Sequence, residues 1–296
     1  MTTFSHRHDI TLHAFVYYFS AITMNEESIM KIFACTVLLT IGIFSAYAQE
    51  QGIPIYCDGE YLQYKVSWSF IRLGTITIRC QRAEGFDGDH YWLHMDVKSA
   101  PMLPFINIDE HNQTLIEAGD GMSRIFRATH TRDGEGLEIQ CIYEPECSRA
   151  TFWERKVESN EYLRFDIMNR VEPYLDGPTL FYFARRMIHS NKKYVMPTMI
   201  NGKVEKTILD FTGPVEWMEV DAFEQPVKTR RYEGTALWEG GTGAGLSGTF
   251  YGWLTDDSAA VTVRADMEVL LGSVVIELEE YIRPGWNPPL ALQASN

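Results

Sequence analysis

The chain has 296 residues, with 26 Lys and Arg against 40 Asp and Glu, for a formal net charge of −14. A chain this acidic repels phosphate backbones, which sets nucleic acid aside as a partner; the plain consequence of the charge is solubility. The length suits one large β domain with a real hydrophobic core.

The chain opens with an internal start signal. Met30-Lys31 is followed by an apolar run from Ile32 to Phe44 and then by Ala46-Tyr47-Ala48-Gln49. One positive charge, a short apolar run and a small-x-small exit are the parts of a secretory signal peptide, predicted here at residues 30–48 with cleavage after Ala48. The run is shorter than the roughly 20 apolar residues that cross a bilayer, so the cleaved protein is not expected to be integral in the membrane. Residues 1–29 carry three histidines, unlike the leading part of a signal peptide, and read as an upstream extension from a misassigned start. Residues 49–290 are then one β-rich exported domain, and 291–296 a tail. Cys57, Cys80, Cys141 and Cys147 follow the leader, an even number that permits two disulfides in any of three connectivities.

Beyond the leader, period-two alternation broken by turn signals predicts antiparallel strands. Glu60 to Trp68 alternates, turns at Leu73-Gly74, and returns along Thr75 to Arg79; His90 to Val97 is the next strand. Asp109-Glu110-His111 follows Pro101 and Pro104 in a loop-like stretch. Met122–Thr131 and Leu137–Tyr143 flank Asp133-Gly134, a hairpin signal, and strands follow at Arg149–Val157 and Tyr162–Met168. Asp176-Gly177-Pro178 then starts the one predicted helix, with an acidic cap and an early proline. Its apolar face is Leu180, Phe181, Ala184, Met187 and Ile188, with Arg185 and Arg186 on the other side. Lys193–Ile200 and Lys203–Phe211 form a second hairpin around Asn201-Gly202. The glycine-rich Gly240–Gly245 stretch reads as a hairpin tip or flap, and without the Lys-Ser/Thr of a phosphate loop. Leu246–Leu254, Ala260–Leu270 and Ser273–Arg283 form a meander, and Pro284-Gly285-Trp286-Asn287-Pro288-Pro289 ends the ladder. The fold class is all-β and mainly antiparallel: a large curved sheet or half-open barrel, with one short helix packed across it.

These segments carry a family resemblance. The chain resembles the bacterial exported proteins grouped as domain of unknown function 3108. The resemblance rests on Gly59-Glu60-Tyr61-Leu62-Gln63-Tyr64 with Trp68 and Leu73-Gly74, on Thr131-Arg132-Asp133-Gly134, and on Asp176-Gly177-Pro178 with its helix. It continues through Gly252-Trp253-Leu254-Thr255-Asp256-Asp257, Leu271-Gly272-Ser273-Val274 and Gly285-Trp286-Asn287-Pro288. In Val261-Thr262-Val263 the family pattern often has a proline where this chain has Val261. The resemblance implies an envelope location and a β-rich, helix-bearing domain, and brings no catalytic or binding residues with it. More loosely, the layout is similar to the half-barrels that carry lipoproteins and lipids across the periplasm.

Chemistry-bearing residues are sparse. His90 and His94 lie four apart on one strand face with Asp96 beyond, a spacing that raises metal ligation, although an exposed polar face explains the same residues. Asp109 and His111 offer a carboxylate beside an imidazole for hydrolysis, again in a stretch where acidic residues are ordinary. Asp256 and Asp257 fit turn chemistry. No catalytic residue and no cofactor is assigned. Aromatics are the fuller signal: with 7 Trp, 15 Tyr and 16 Phe, a curved sheet can either pack a dense core or wall an apolar cavity. Tyr64 and Trp68 on the inward strand face, and Leu180, Phe181 and Phe183 on the helix, are the expected ligand-binding residues. The expected function is a non-catalytic carrier for a lipid or other apolar envelope component. The alternatives are an envelope factor acting through protein contacts and a hydrolase using His90/His94 or Asp109/His111.

Overall fold

In the computed structural model the chain divides into a unit of residues 1–51 and one of residues 52–296. The structure describes residues 54–101, 107–132, 134–238, 248–269 and 272–291. The predicted signal peptide, the predicted tip or flap at Gly240–Gly245 and Asp133 of the first hairpin turn lie outside these residues. Among the described residues, no helix is long and apolar enough to cross a membrane.

A single antiparallel sheet organises the second unit, as the alternation predicts. Its first half is a meander of eight strands: β1 (Glu60–Trp68), β2 (Ile71–Arg82), β3 (His90–Ser99), β4 (Asp109–Glu117), β5 (Ser123–Arg132), β6 (Glu135–Glu144), β7 (Arg149–Lys156) and β8 (Tyr162–Asn169). The helix α1 (Gly177–Met187) follows. The second half is β9 (Lys193–Ile200), β10 (Lys203–Asp210), the short β11 (Val215–Met218), β12 (Val227–Leu237), β13 (Gly248–Thr255), β14 (Thr262–Val269) and β15 (Gly272–Ile282). The spatial order runs β8-β7-β6-β5-β4-β3-β2-β1-β15-β14-β13-β12-β10-β9, with β11 beside β12. The first strand and the last therefore meet in the middle, and β8 and β9 end the ladder. The sheet is not closed.

Three strands depart from the sequence expectation. β4 occupies the stretch read as loop-like, because Asp109 to Gln113 is polar on both faces and shows no alternation, yet pairs residue by residue with β3 and β5. β12 contains adjacent Arg230-Arg231 and Gly234, which break the period, and β11 has only four residues. The turn chemistry fares better, except that Leu73-Gly74 lies inside β2 and the chain turns at Ser69-Phe70. Asn201 and Gly202 have φ of 50° and 71°, the paired left-handed conformation of a two-residue hairpin. At the Asp256-Asp257 turn, Asp257 Oδ1 accepts from Ala260 N at 2.9 Å, and Val261, where the family pattern often has proline, is fully buried.

Helix α1 lies on the inner face of the sheet. Asp176 caps it, accepting from Thr179 N at 3.0 Å, while Asp176 N donates to the Thr179 hydroxyl oxygen; Pro178 occupies the first turn. The same carboxylate accepts from Thr114 Oγ1 on β4 at 2.9 Å, which ties the helix start to the sheet. One core cluster joins Leu62, Tyr64, Ile78, Leu93 and Leu278 of the central strands to Tyr182 of the helix. A second joins Phe183, Ala184 and Ile188 to Leu209, Phe211, Tyr232 and Leu254 on the far half of the sheet. The helix thus fills the concavity and touches both halves.

Arg185 corrects the expected helix face. It is fully buried, not on the polar side, because a carboxylate waits for it inside the sheet. Arg185 Nη1 and Nη2 donate to Glu60 of β1 at 2.8 and 2.9 Å, and Arg283, just after β15, donates to the same carboxylate. Tyr182 Oη donates to it as well, at 2.6 Å. Arg185 also donates to the carbonyls of Ala259 and Ala260 at 3.1 Å, and Arg283 to the carbonyl of Pro54. Burial would raise the Glu60 carboxyl, but the two guanidiniums and the tyrosine hydroxyl hold it below its ordinary value of 4.5.

Neutralising Glu60 leaves two guanidiniums buried against each other, so Glu60→Gln should destabilise the fold by about 3 kcal/mol or more. The milder Tyr182→Phe removes one hydrogen bond and should remove about 1 kcal/mol. Because the folded carboxyl is depressed, the stability it contributes is present above pH 4.5 and is lost as the pH falls through the folded value. Urea midpoints of wild type and Tyr182→Phe between pH 6 and 3 check this: wild type should lose stability across the acid limb, with Tyr182→Phe losing less there.

Candidate functional site

The chemistry of an open sheet concentrates where its ladder stops. β8 presents Leu163, Phe165 and Ile167 outward, 42%, 58% and 57% exposed, while Arg164 and Asp166 point the other way. At the opposite end, the β9–β10 hairpin exposes Val195 and Val204, and Pro197 sits in β9, a position only an edge strand tolerates. The connector after β8 runs to the helix along this edge. Leu175 N donates to Pro197 O at 2.9 Å and Met199 N to Leu175 O at 2.7 Å, so one residue of the connector caps β9 as a parallel bridge. Val171, Tyr174 and Met199 pack with Cys141, Tyr143 and Phe152 behind it.

One side chain latches the two ends. Arg164 of β8 donates from Nη1 to Asn201 O at 2.7 Å and from Nη2 to Gly202 O at 3.0 Å, at the tip of the β9–β10 hairpin. Its guanidinium lies 4.7 Å from the ring centroid of Phe152, and Asp166 neutralises it. Gly202 is required here twice over: its φ of 71° is left-handed, and a Cβ would come within 2.8 Å of both Phe152 and Arg164. Between the connector and the hairpin lies a groove of about 490 Å³. Val171, Val195, Pro197 and Val204 give it apolar walls, with Arg170, Glu172, Glu205 and Lys206 at its lip. Nothing in the local sequence marks Arg164: an arginine in a strand is ordinary, and its partners are backbone carbonyls more than 35 residues away.

The predicted ligand-binding residues fall elsewhere. Tyr64 and Phe181 do meet, with ring centroids 6.0 Å apart and edge-on, and Tyr64 Oη donates to Thr262 O at 3.0 Å. Phe183 packs edge-on against Tyr194, and Leu180 lies beside the second core cluster. Tyr64 and Phe183 are buried, and Leu180 and Phe181 are half-buried against the core clusters. Trp68, at the end of β1, is 37% exposed, although its pairing with β15 continues the alternation of Tyr64 and Val66. None of the five lines the groove at the seam.

The polar candidates gather on the outer face instead. His90 and His94 share that face but stand about 13 Å apart along β3 at 3.3 Å per residue, too far for one metal ion. Among the described residues, no group of three His, Cys, Asp or Glu is placed to hold a metal. His90 stacks on Phe86 at 5.1 Å. His111 Nδ1 is 2.9 Å from Asp96 and its Nε2 3.3 Å from Asp109, so the imidazole–carboxylate arrangement exists, but Arg79 also claims Asp96 at 2.6 Å. His189, after the helix, meets Asp257 O at 3.0 Å. Among the described residues, the four cysteines are free. Burial pushes the Cys80 thiol up to about 12 and the Cys141 thiol up to about 11, so both are poor nucleophiles.

Removing the latch should loosen the seam without unfolding the sheet. Arg164→Ala should speed amide hydrogen exchange in the segment from Thr198 to Lys206 by about ten-fold or more, the loss of two charge-assisted hydrogen bonds. Amides of β1 and β15 should keep wild-type rates.

Comparison with known proteins places the fold rather than the chemistry. No curated protein matches the sequence. A β-barrel-like protein of the DUF1849 family from Brucella abortus superimposes with a TM-score of 0.51 at 9% identity, over 77% of this chain and 99% of that one. A Bacteroides fragilis protein with a YmcC-like fold covers 76% of this chain and 96% of its own at 10% identity, with a TM-score of 0.27. The model of a family described as a protein of unknown function, DUF3108, matches residues 63–279, and with most of its length matched the chain belongs to that family.

Proposed function

We propose that the protein is an exported, non-catalytic binding protein that takes an apolar chain, such as the acyl chain of a lipid, into the groove between the connector after β8 and the β9–β10 hairpin. The groove itself carries this reading. Its apolar walls and charged lip suit a ligand that is greasy along its length and solvated at its end. It lies where the backbone ladder is interrupted, so a ligand can enter without breaking strand pairing. Export rests on the Met30–Ala48 pattern. Helix α1 then serves as a fixed wall that fills the concavity, in place of a lid over it. Affinity comes from apolar burial at about 25 cal/mol per Å².

A second reading has its own observation. Leu163, Phe165 and Ile167 form an exposed apolar row on an edge strand, a combination natural sheets avoid unless something covers it. An envelope protein docking on β8 would do so, and the molecule would act through protein contact.

Native mass spectrometry of the protein recovered from a periplasm, followed by organic extraction, separates these. A bound lipid lost in Val204→Glu and kept in Leu180→Asp is the expected result for the groove. The opposite pattern would place the ligand under α1. A bare polypeptide mass in wild type would reject the carrier and leave the β8 contact.

A further inference from the structure

The outer face of the first half of the sheet carries a second and separate arrangement. The strand registers line up Tyr61, Arg79, His94, Gln113, Arg127 and Gln140 directly opposite one another across β1 to β6. Neighbouring strands are about 4.8 Å apart, so the backbones of Arg79 and Arg127 stand about 14 Å apart, a span that two arginine side chains close by both reaching the lining of one cleft. A cleft of about 240 Å³ opens over it, walled by Arg79, His94, Gln113 and Arg127 with Asp96 and Glu138.

The charges in that cleft are unevenly satisfied. Asp96 is held by Arg79 at 2.6 Å and by His111 at 2.9 Å. Glu138 is held by Arg155 through Nε at 2.8 Å and Nη2 at 2.6 Å. Both carboxylates are therefore occupied, Glu138 by an arginine outside the cleft's lining, which leaves Arg127 as the lining cation without a carboxylate partner. Arg127 rests on the face of Trp92, 5.6 Å from the ring centroid, a contact that orients its fork and leaves its N–H groups to the cleft. Arg79 Nε and His94 Nε2 are buried atoms without a hydrogen-bond partner. A buried polar atom left unpaired is costly: Arg79 Nε is a donor, His94 Nε2 is one in the tautomer that carries its proton there, and beside an available guanidinium they are an incomplete shell. Arg79 and Arg127 balance Asp96 and Glu138 in the lining, but with both carboxylates engaged elsewhere Arg127 is left without an acidic partner, a local feature that a formal charge of −14 hides.

The wall of Arg79 and Asp96 is shared with a neighbouring cleft of about 380 Å³ lined by Tyr61, Gln63, Thr75, Thr77 and Lys98. Those are mostly uncharged hydroxyl and amide groups, which both donate and accept hydrogen bonds. We infer that the outer face of β1–β6 is a binding site for an oxyanion-bearing sugar: the oxyanion, phosphate or carboxylate, sits on Arg127, Arg79 and His94, and the hydroxyls lie along the Tyr61–Thr77 cleft. The site stands on the face of the sheet opposite to α1 and independently of the apolar groove at the seam. A small anion fits where a long polyanion would meet the acidic surface around it.

Isothermal titration of the mature full chain tests this with four probes: inorganic phosphate, glucose 6-phosphate, glucuronate and glucose. Saturable one-to-one binding of glucose 6-phosphate or glucuronate is expected, tighter than glucose, and weakened about ten-fold or more in Arg127→Ala. Which of the two binds tighter tells phosphate from carboxylate, and either order supports the site. Gln63→Ala should reduce sugar-phosphate affinity while leaving inorganic phosphate unchanged. Arg127 is exposed on one face of a strand, so the variant should fold; circular dichroism and the urea midpoint confirm that. Absence of binding to all anionic probes, or binding unchanged in folded Arg127→Ala, overturns the inference. Because these probes carry no apolar chain, the result does not depend on the lipid reading, and loss of lipid in Val204→Glu would leave it untouched.

Discussion

A single buried carboxylate holds the two halves of this fold to the helix between them. Glu60 stands at the start of the first strand, Arg185 in the helix, and Arg283 directly after the last strand, and all three side chains are fully buried. Two cations on one anion leave an excess positive charge inside. Carbonyls of Ala259, Ala260 and Pro54 and the face of Tyr182 absorb it. Such a cluster adds little net stability over an apolar core, because desolvation offsets the Coulomb gain, but it is satisfied in one geometry only. It therefore works as a registry device: the helix seats in one rotation, and β1 and β15 pair in one register around it.

That constraint explains where the sheet is closed and where it is open. β1 and β15 are the first and last strands in sequence and neighbours in space, so these two strands are locked together at the centre of the sheet. The free edges fall instead at β8 and β9, on either side of the helix in sequence. The helix takes up the residues between them, and the sheet ends are joined by side chains: Arg164 on the hairpin tip, Leu175 on β9, and the cluster of Tyr174, Phe152 and Met199. A seam made of side chains and one bridge opens at a smaller free-energy cost than a continuous ladder, since fewer backbone bonds must break.

The two faces of the sheet divide the chemistry. The inner face spends its aromatics on packing against α1, with Tyr64, Phe181, Tyr182 and Phe183 all in ring contact with neighbours. The outer face keeps cross-strand rows of amides, hydroxyls and paired charges. At the centre of barrel-like folds the interior is the usual ligand site; here the helix occupies it, and the accessible surfaces are the seam and the outer face.

Most of the fold was legible in the amino-acid sequence by itself, for local reasons. Alternation marked the central strands, Asn201-Gly202 marked a hairpin whose φ values only such residues adopt readily, and Asp176-Gly177-Pro178 marked the helix start through capping chemistry that acts over three residues. These signals survive because each is a short-range interaction between neighbours in the chain. What the tertiary structure alone decided has the opposite character. β4 is a strand because β3 and β5 pair with it, not because Asp109 to Gln113 alternate. Arg185 is buried because Glu60, 125 positions earlier, compensates its charge. The Arg164 latch and the Arg79–His94–Arg127 row exist only once the register across the strands is set. Long-range electrostatics and strand register leave no periodic trace in the sequence, so the framework could be read from it, and the contacts that register brings together at the seam and on the outer face could not.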